Sequence, residues 1–174
     1  MQRINLKIVV LLSLIILSNC TGNEVKDMNI SNVLKKNQNV VESLVQICEG
    51  ISPHVESMNN DEKNPNQSSS IPTIELDQYF DQIRESRKDI FNLELNISGQ
   101  RGVGLFKELY PERQFLFRGR DHSQKEYEGI YKDISVGKIF DKKNDNEFNA
   151  IRMIANVNIN DNVKLDLKIY SSME

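Results

Sequence analysis

The amino-acid sequence predicts an α+β fold, with an N-terminal helix or helices followed by an antiparallel β-sheet ending in a C-terminal β-hairpin. Three observations carry this prediction. Val33, Val40, Val41, Leu44, Cys48 and Ile51 recur at steps of three, four and seven, the spacing of one helix face. From Phe91 onward the apolar period falls to two, as in a half-buried strand. Near the C-terminus, Ile151, Met153, Ala155, Val157 and Ile159 alternate with polar residues, as do Val163, Leu165, Leu167 and Ile169. The turn formers Asn160-Asp161-Asn162 lie between the two runs. Helices placed before strands argue for a helical layer laid across an antiparallel sheet.

Each element follows from local signals. Ser31 is placed to cap the first helix, which runs to about Glu49 and meets Gly50 and Pro53 as its stop. Thr73 caps a second helix, with Leu76, Phe80, Ile83 and Ile90 on one face. Phe91, Leu93, Leu95 and Ile97 then alternate with Asn92, Glu94 and Asn96 as a strand. Gly99, Gly102 and Gly104 mark a turn region, and Leu105 to Tyr110 reads as a helical turn before Pro111. Gln114 to Arg118 and Tyr127 to Ile134 are further strands, and Asp141 to Glu147 is a solvated connection. In the final hairpin, pairing Ile159 with Val163 puts all nine apolar side chains on one face, so pattern and turn agree on register.

The chain of 174 residues suffices for one domain plus an extension. Hydrophobic residues make up 39%, and part of that share sits in the first twenty, so the remaining core is modest. Met1 to Lys7 carries Arg3 and Lys7 and no acid, and Ile8 to Leu17 is a ten-residue run with no charge. As a helix that run spans about 15 Å, half a bilayer core, which suits the hydrophobic region of a signal peptide. Removing 1–19 leaves 20 basic against 25 acidic groups, a net −5 that argues against nucleic-acid binding.

Leu17-Ser18-Asn19-Cys20, following that run, resembles the lipobox of bacterial lipoproteins in its loose, spirochaete-like form. Leu17 and Ser18 match the pattern; Asn19 departs from it, since Gly, Ala or Ser is usual before the Cys. The resemblance covers about the first twenty residues. It implies that Cys20 becomes the first mature residue and carries an acyl lipid such as palmitate, anchoring an exported protein in the cell envelope, at the outer membrane or cell surface. Ordinary cleavage after Cys20, with Ser18 and Cys20 as the small residues, is the alternative and gives a soluble secreted protein.

The chain thus divides into a signal peptide (1–19), a lipid-anchored polar tether (20–30), a helical segment (31–58), a flexible linker (59–72) and an α+β domain (73–174). Asn59 to Ser70 contains no apolar residue, so it cannot bury enough surface to offset its ordering entropy. Cys20 and Cys48 are the only cysteines; Cys48 lies on the apolar helix stripe and reads as a small buried hydrophobe.

Motifs for chemistry are few. Gly99-Gln100-Arg101-Gly102-Val103-Gly104 lacks the glycine order of a dinucleotide fingerprint and the Gly-Lys-Ser/Thr ending of a phosphate loop. No spacing fits a metal site or a calcium loop, and no cofactor is implied. Asp121 and His122 with Glu126, Glu128 and Asp133 form the one clustering of acid and base types. A hydrolytic enzyme would need Asp121, His122 and Glu128 to converge on a pocket. Ser123, Gln124 and Lys125 instead suggest an exposed loop, so no catalytic residue is assigned. Arg101 to Lys125 holds six basic against three acidic residues, a local +3 interleaved with Tyr110, Phe115 and Phe117. Arg113, Phe115, Arg118 and Arg120 are therefore expected to meet a protein or an anionic polymer. The expected function is a non-catalytic binding module on a membrane anchor, with an enzyme-inhibitor or immunity-type lipoprotein as the alternative.

Overall fold

A computed structural model describes residues 29–53, 74–100, 102–121 and 130–174. The signal segment, Cys20, the linker 59–72, Thr73, Arg101, His122 and Glu128 lie outside the described residues. Among the described residues two helices precede six strands: α1 (29–53), α2 (Ile74–Ser86), β1 (Ile90–Gly99), β2 (Gly102–Glu108), β3 (Phe115–Asp121), β4 (Tyr131–Asp141), β5 (Asn146–Asn158) and β6 (Lys164–Ser172). This is an α+β fold. The strands form one antiparallel sheet in the order β2-β1-β6-β5-β4-β3. β3 to β6 run up and down as neighbours, β1 closes onto β6, and β2 and β3 are left as the edges.

The first helix is longer at both ends than its capping signals predict. Asn29 and Ile30 are already helical, so Ser31 lies inside α1, and Ile30 is fully buried. At the other end α1 runs through Gly50 to Pro53. Burial of Ile51 and Ser52 outweighs the roughly 1 kcal/mol that a helical glycine costs. Pro53 has no N–H to offer the Glu49 carbonyl; the Ser52 hydroxyl donates to that oxygen instead, at 3.1 Å.

In α2, Leu76, Phe80 and Ile83 are buried as predicted. Ile90 is not on that helix. The chain turns through Arg87 N to Ile83 O (2.9 Å) and Ile90 N to Arg87 O (3.0 Å), and Ile90 opens β1. The register of β1 on β6 slips between Ile90 and Asn92, which takes Phe91 out of phase with Leu93, Leu95 and Ile97. The helical turn expected over Leu105–Tyr110 is instead largely strand. Residues 102–108 form β2, because Leu105 can pair with Ile97 across a tight turn in which Gly102 adopts φ 140, open only to glycine at low cost. β4 runs on to Asp141, and the solvated connection shortens to 142–145.

The final hairpin pairs as predicted: Met153 with Ile169, Ala155 with Leu167, Val157 with Leu165, and Ile159 N to Val163 O at 2.9 Å. Its apolar face meets both helices in one core. Ile30, Val33, Leu34, Val40, Val41, Leu44, Cys48 and Ile51 of α1 pack with Leu93, Leu95, Ile151, Met153, Leu167 and Ile169 of the sheet. Burial pushes the Cys48 thiol up to about 12, leaving it a space-filler. A polar seam joins α1 to the sheet: the Tyr131 hydroxyl donates to Leu34 O at 2.9 Å and Asn37 Nδ2 to Ser171 Oγ at 2.8 Å. The Arg87 guanidinium reaches Asn37 Oδ1 and, at 2.8–2.9 Å, the Asp89 carboxylate. Among the described residues no helix is long and apolar enough to cross a membrane.

Candidate binding surface

Strand alternation sends every second side chain of the sheet away from the helices. On that open face Ile139, Ala150 and Tyr170 form a second, smaller cluster, with Phe91, Phe115 and Phe117 packed against it. Phe115 and Phe117 meet the Tyr170 ring edge-on at 5.0 and 5.8 Å, and Phe91 tilts onto Phe148 at 5.4 Å. Phe148 remains 38% exposed. The aromatic residues come from β1, β3, β5 and β6, so only the assembled sheet brings them together.

Charged groups rim this cluster. The Arg113 guanidinium lies 3.9 Å from the Tyr110 ring centroid, and that of Arg152 lies 5.5 Å from Phe117. Lys168 pairs with Glu94 at 2.6 Å. Two shallow hollows open between these groups. One of 420 Å³ lies among Glu94, Glu108, Arg113, Phe115, Arg152 and Tyr170; the other, of 410 Å³, lies among Phe91, Arg113, Phe115, Ile139, Lys143 and Phe148. Burial, helped by the negative charge of Glu94, pushes the Tyr170 phenol up to about 12, so it stays neutral and able to donate.

Arg152 also braces the sheet across its open face. Its Nη2 donates to Asp133 Oδ2 and to Ser135 Oγ, both at 2.9 Å, and the Ser135 hydroxyl donates to Asp121 Oδ1 at 3.0 Å. β3, β4 and β5 are thereby cross-linked side chain to side chain. Asp121, one of the three groups a hydrolytic site would need, is thus engaged with a serine that is 1% exposed. Arg152 Nε is buried and has no partner among the described residues.

The four residues expected at a partner surface are split by the strand. Phe115 faces the aromatic cluster, with Arg113 just before the strand at the same face. Arg118 and Arg120 point to the other side of β3, beyond the reach of the helices, and are exposed. Phe91, Phe148, Tyr170 and Arg152 were not predicted for the site. Their one signal is phase: Phe148, Tyr170 and Arg152 sit at polar-phase positions of strands whose other phase is the core. Among the described residues no group of metal-ligating side chains comes together. No protein-family model, curated protein or solved structure matches the chain.

Proposed function

We propose that the chain is a lipid-anchored envelope or surface protein whose sheet is a non-catalytic binding module for a macromolecular partner. The observation that carries the binding role is the open face of the sheet. Five aromatic rings, Phe91, Phe115, Phe117, Phe148 and Tyr170, lie there with Arg113 and Arg152 beside them, and neither described helix covers them. Aromatic residues and arginine are the types enriched where proteins meet. The hollows between them are shallow and rimmed by both charge signs, which suits a broad macromolecular contact better than an enclosed small molecule. The anchor rests on the Leu17-Ser18-Asn19-Cys20 motif and the apolar run before it.

The test has two arms in the native host. Fatty-acid labelling of wild type and Cys20→Ala should give label that the substitution removes; an unlabelled wild type refutes the anchor. A photo-crosslinking residue at Phe148 should capture a cellular macromolecule, and Arg113→Glu should diminish that adduct. Crosslinking equally well from an exposed control position such as Ile74, or not at all from Phe148, refutes the binding face.

A further inference from the structure

We infer that β3 receives an extended acidic segment of a partner protein as a seventh strand of the sheet. This rests on the binding-module reading and names the mode of binding and the chemistry of the partner.

The backbone argument comes first. Lys142 N donates to Gln114 O at 3.0 Å, and the β3–β4 register runs without a break from Phe115–Asp141 to Asp121–Ser135. In an antiparallel ladder, hydrogen-bonded residues alternate along the strand. The even-numbered residues of β3 therefore bond to β4. The N–H and C=O groups of Phe117 and Gly119 point away from the sheet, at an edge that no other described strand covers. Such a row is a template for one more strand.

The side chains then say what kind of strand. Leu116, Arg118 and Arg120 share the face of β3 that lies beyond the helices. Neither arginine side chain has a hydrogen bond or ion pair among the described residues. Lys138 stands opposite Arg118 on β4 and is answered by Glu147 at the turn side. On the other face the Phe117 ring lies over Gly119, where a Cβ would come within 2.4 Å of the ring, leaving a flat apolar shelf. An open hollow of 790 Å³ lies beside β3 and β4, lined by Phe117, Arg118, Gly119, Arg120, Lys138 and Arg152. A strand paired to the free edge of β3, with Asp or Glu at alternate positions, sets its acids opposite Arg118 and Arg120. Its intervening apolar residues lie beside Phe117.

The same geometry disfavours a second copy of the chain. Antiparallel pairing of two β3 edges brings Arg118 and Arg120 of both copies onto one face. Like charges at cross-strand and diagonal positions repel. A partner of opposite charge has no such conflict.

The experiment uses the full chain in detergent and a short synthetic peptide alternating Glu and Val. Binding, read by fluorescence anisotropy, is expected to fall with salt and to slow hydrogen exchange at the Phe117 and Gly119 amides. Arg118→Glu with Arg120→Glu, both at exposed positions, should weaken it by about tenfold or more and admit a Lys–Val peptide instead. The Glu–Val peptide N-methylated at alternate residues should not bind. Equal binding of the methylated peptide, no binding at low salt, or edge protection that appears with protein concentration and without peptide would each overturn the inference. If the double variant loses the peptide but keeps its cellular adduct from Phe148, strand addition at β3 is wrong while the binding module stands. If wild type binds the peptide but forms no adduct, the reverse holds.

Discussion

The two faces of the sheet are made from the same six strands, yet they bury apolar residues in different ways. The covered face is aliphatic: Leu93, Leu95, Ile97, Ile151, Leu165, Leu167 and Ile169 are at most 1% exposed, and two helices close over them. The open face is aromatic, and its rings shield one another with charged groups as a rim. The aliphatic side chains of the covered face exclude water by packing against a second layer. Flat rings can bury one another within one layer, so Tyr170 is covered while Phe91, Phe115 and Phe117 stay partly exposed and Phe148 stays 38% exposed. Stability is therefore expected to reside on one side of the sheet and recognition on the other.

The largest test of that division is a pair of truncations. Leu95→Ala should cost about 2–5 kcal/mol, since it opens a cavity in the covered core. Phe148→Ala should cost about 1 kcal/mol or less, because much of that ring is already in water. Urea midpoints measure both. Equal losses would make the open face a second core.

A smaller effect is expected where the two faces share backbone. Gly119 faces Gly137 across β3 and β4, and a Cβ on Gly137 would stand 2.1 Å from the Arg118 carbonyl oxygen. Gly137→Ala should cost about 1–3 kcal/mol and loosen β3 alone. Faster hydrogen exchange in β3, with β5 and β6 unchanged, would show it; uniform acceleration would mean that β3 is integral to the core.

The smallest effect lies at the seam under α1. Burial alone would raise the Asp89 carboxyl, but hydrogen bonds and charge from Arg87 and Lys36 outweigh it and hold it at about 2. A carboxyl lowered by folding stabilises the fold wherever it is ionised. Its contribution is complete above the ordinary carboxylate value of about 4 and is lost as pH falls toward 2. Asp89→Asn should flatten that part of the acid-unfolding curve and leave its slope near neutrality unchanged. An unaltered acid limb would show that the pair contributes nothing.

Much of the covered face was legible before folding. The helix stripe from Val33 to Ile51 and the nine-residue apolar set of the last hairpin each repeat a period that one element imposes on itself. A one-residue slip would expose the whole set, so the register followed from the pattern. Local stop signals were less reliable. Gly50 did not end α1, because Ile51 lay over the core and Ser52 satisfied the Glu49 carbonyl that Pro53 cannot reach. Leu105 to Tyr110 became mostly strand because β1 offered an edge to pair with. Propensity yields to such tertiary gains.

The candidate surface was only half legible. Arg113 and Phe115 announced themselves through a local excess of basic and aromatic residues. That same excess joined them to Arg118 and Arg120, which the pleat sends to the other face. Phe91, Phe148, Tyr170 and Arg152 belong to the site because β1, β5 and β6 lie side by side, an adjacency that no local period encodes. By itself, then, the sequence determined the α+β order, the core stripe of α1 and the register of the hairpin, because each depends on contacts within one element or one turn. The tertiary structure alone decided which strands became neighbours, and so which aromatic side chains share a face. The pairing of β1 with β6, from opposite ends of the sheet-forming chain, is settled only by the free energy of the whole core.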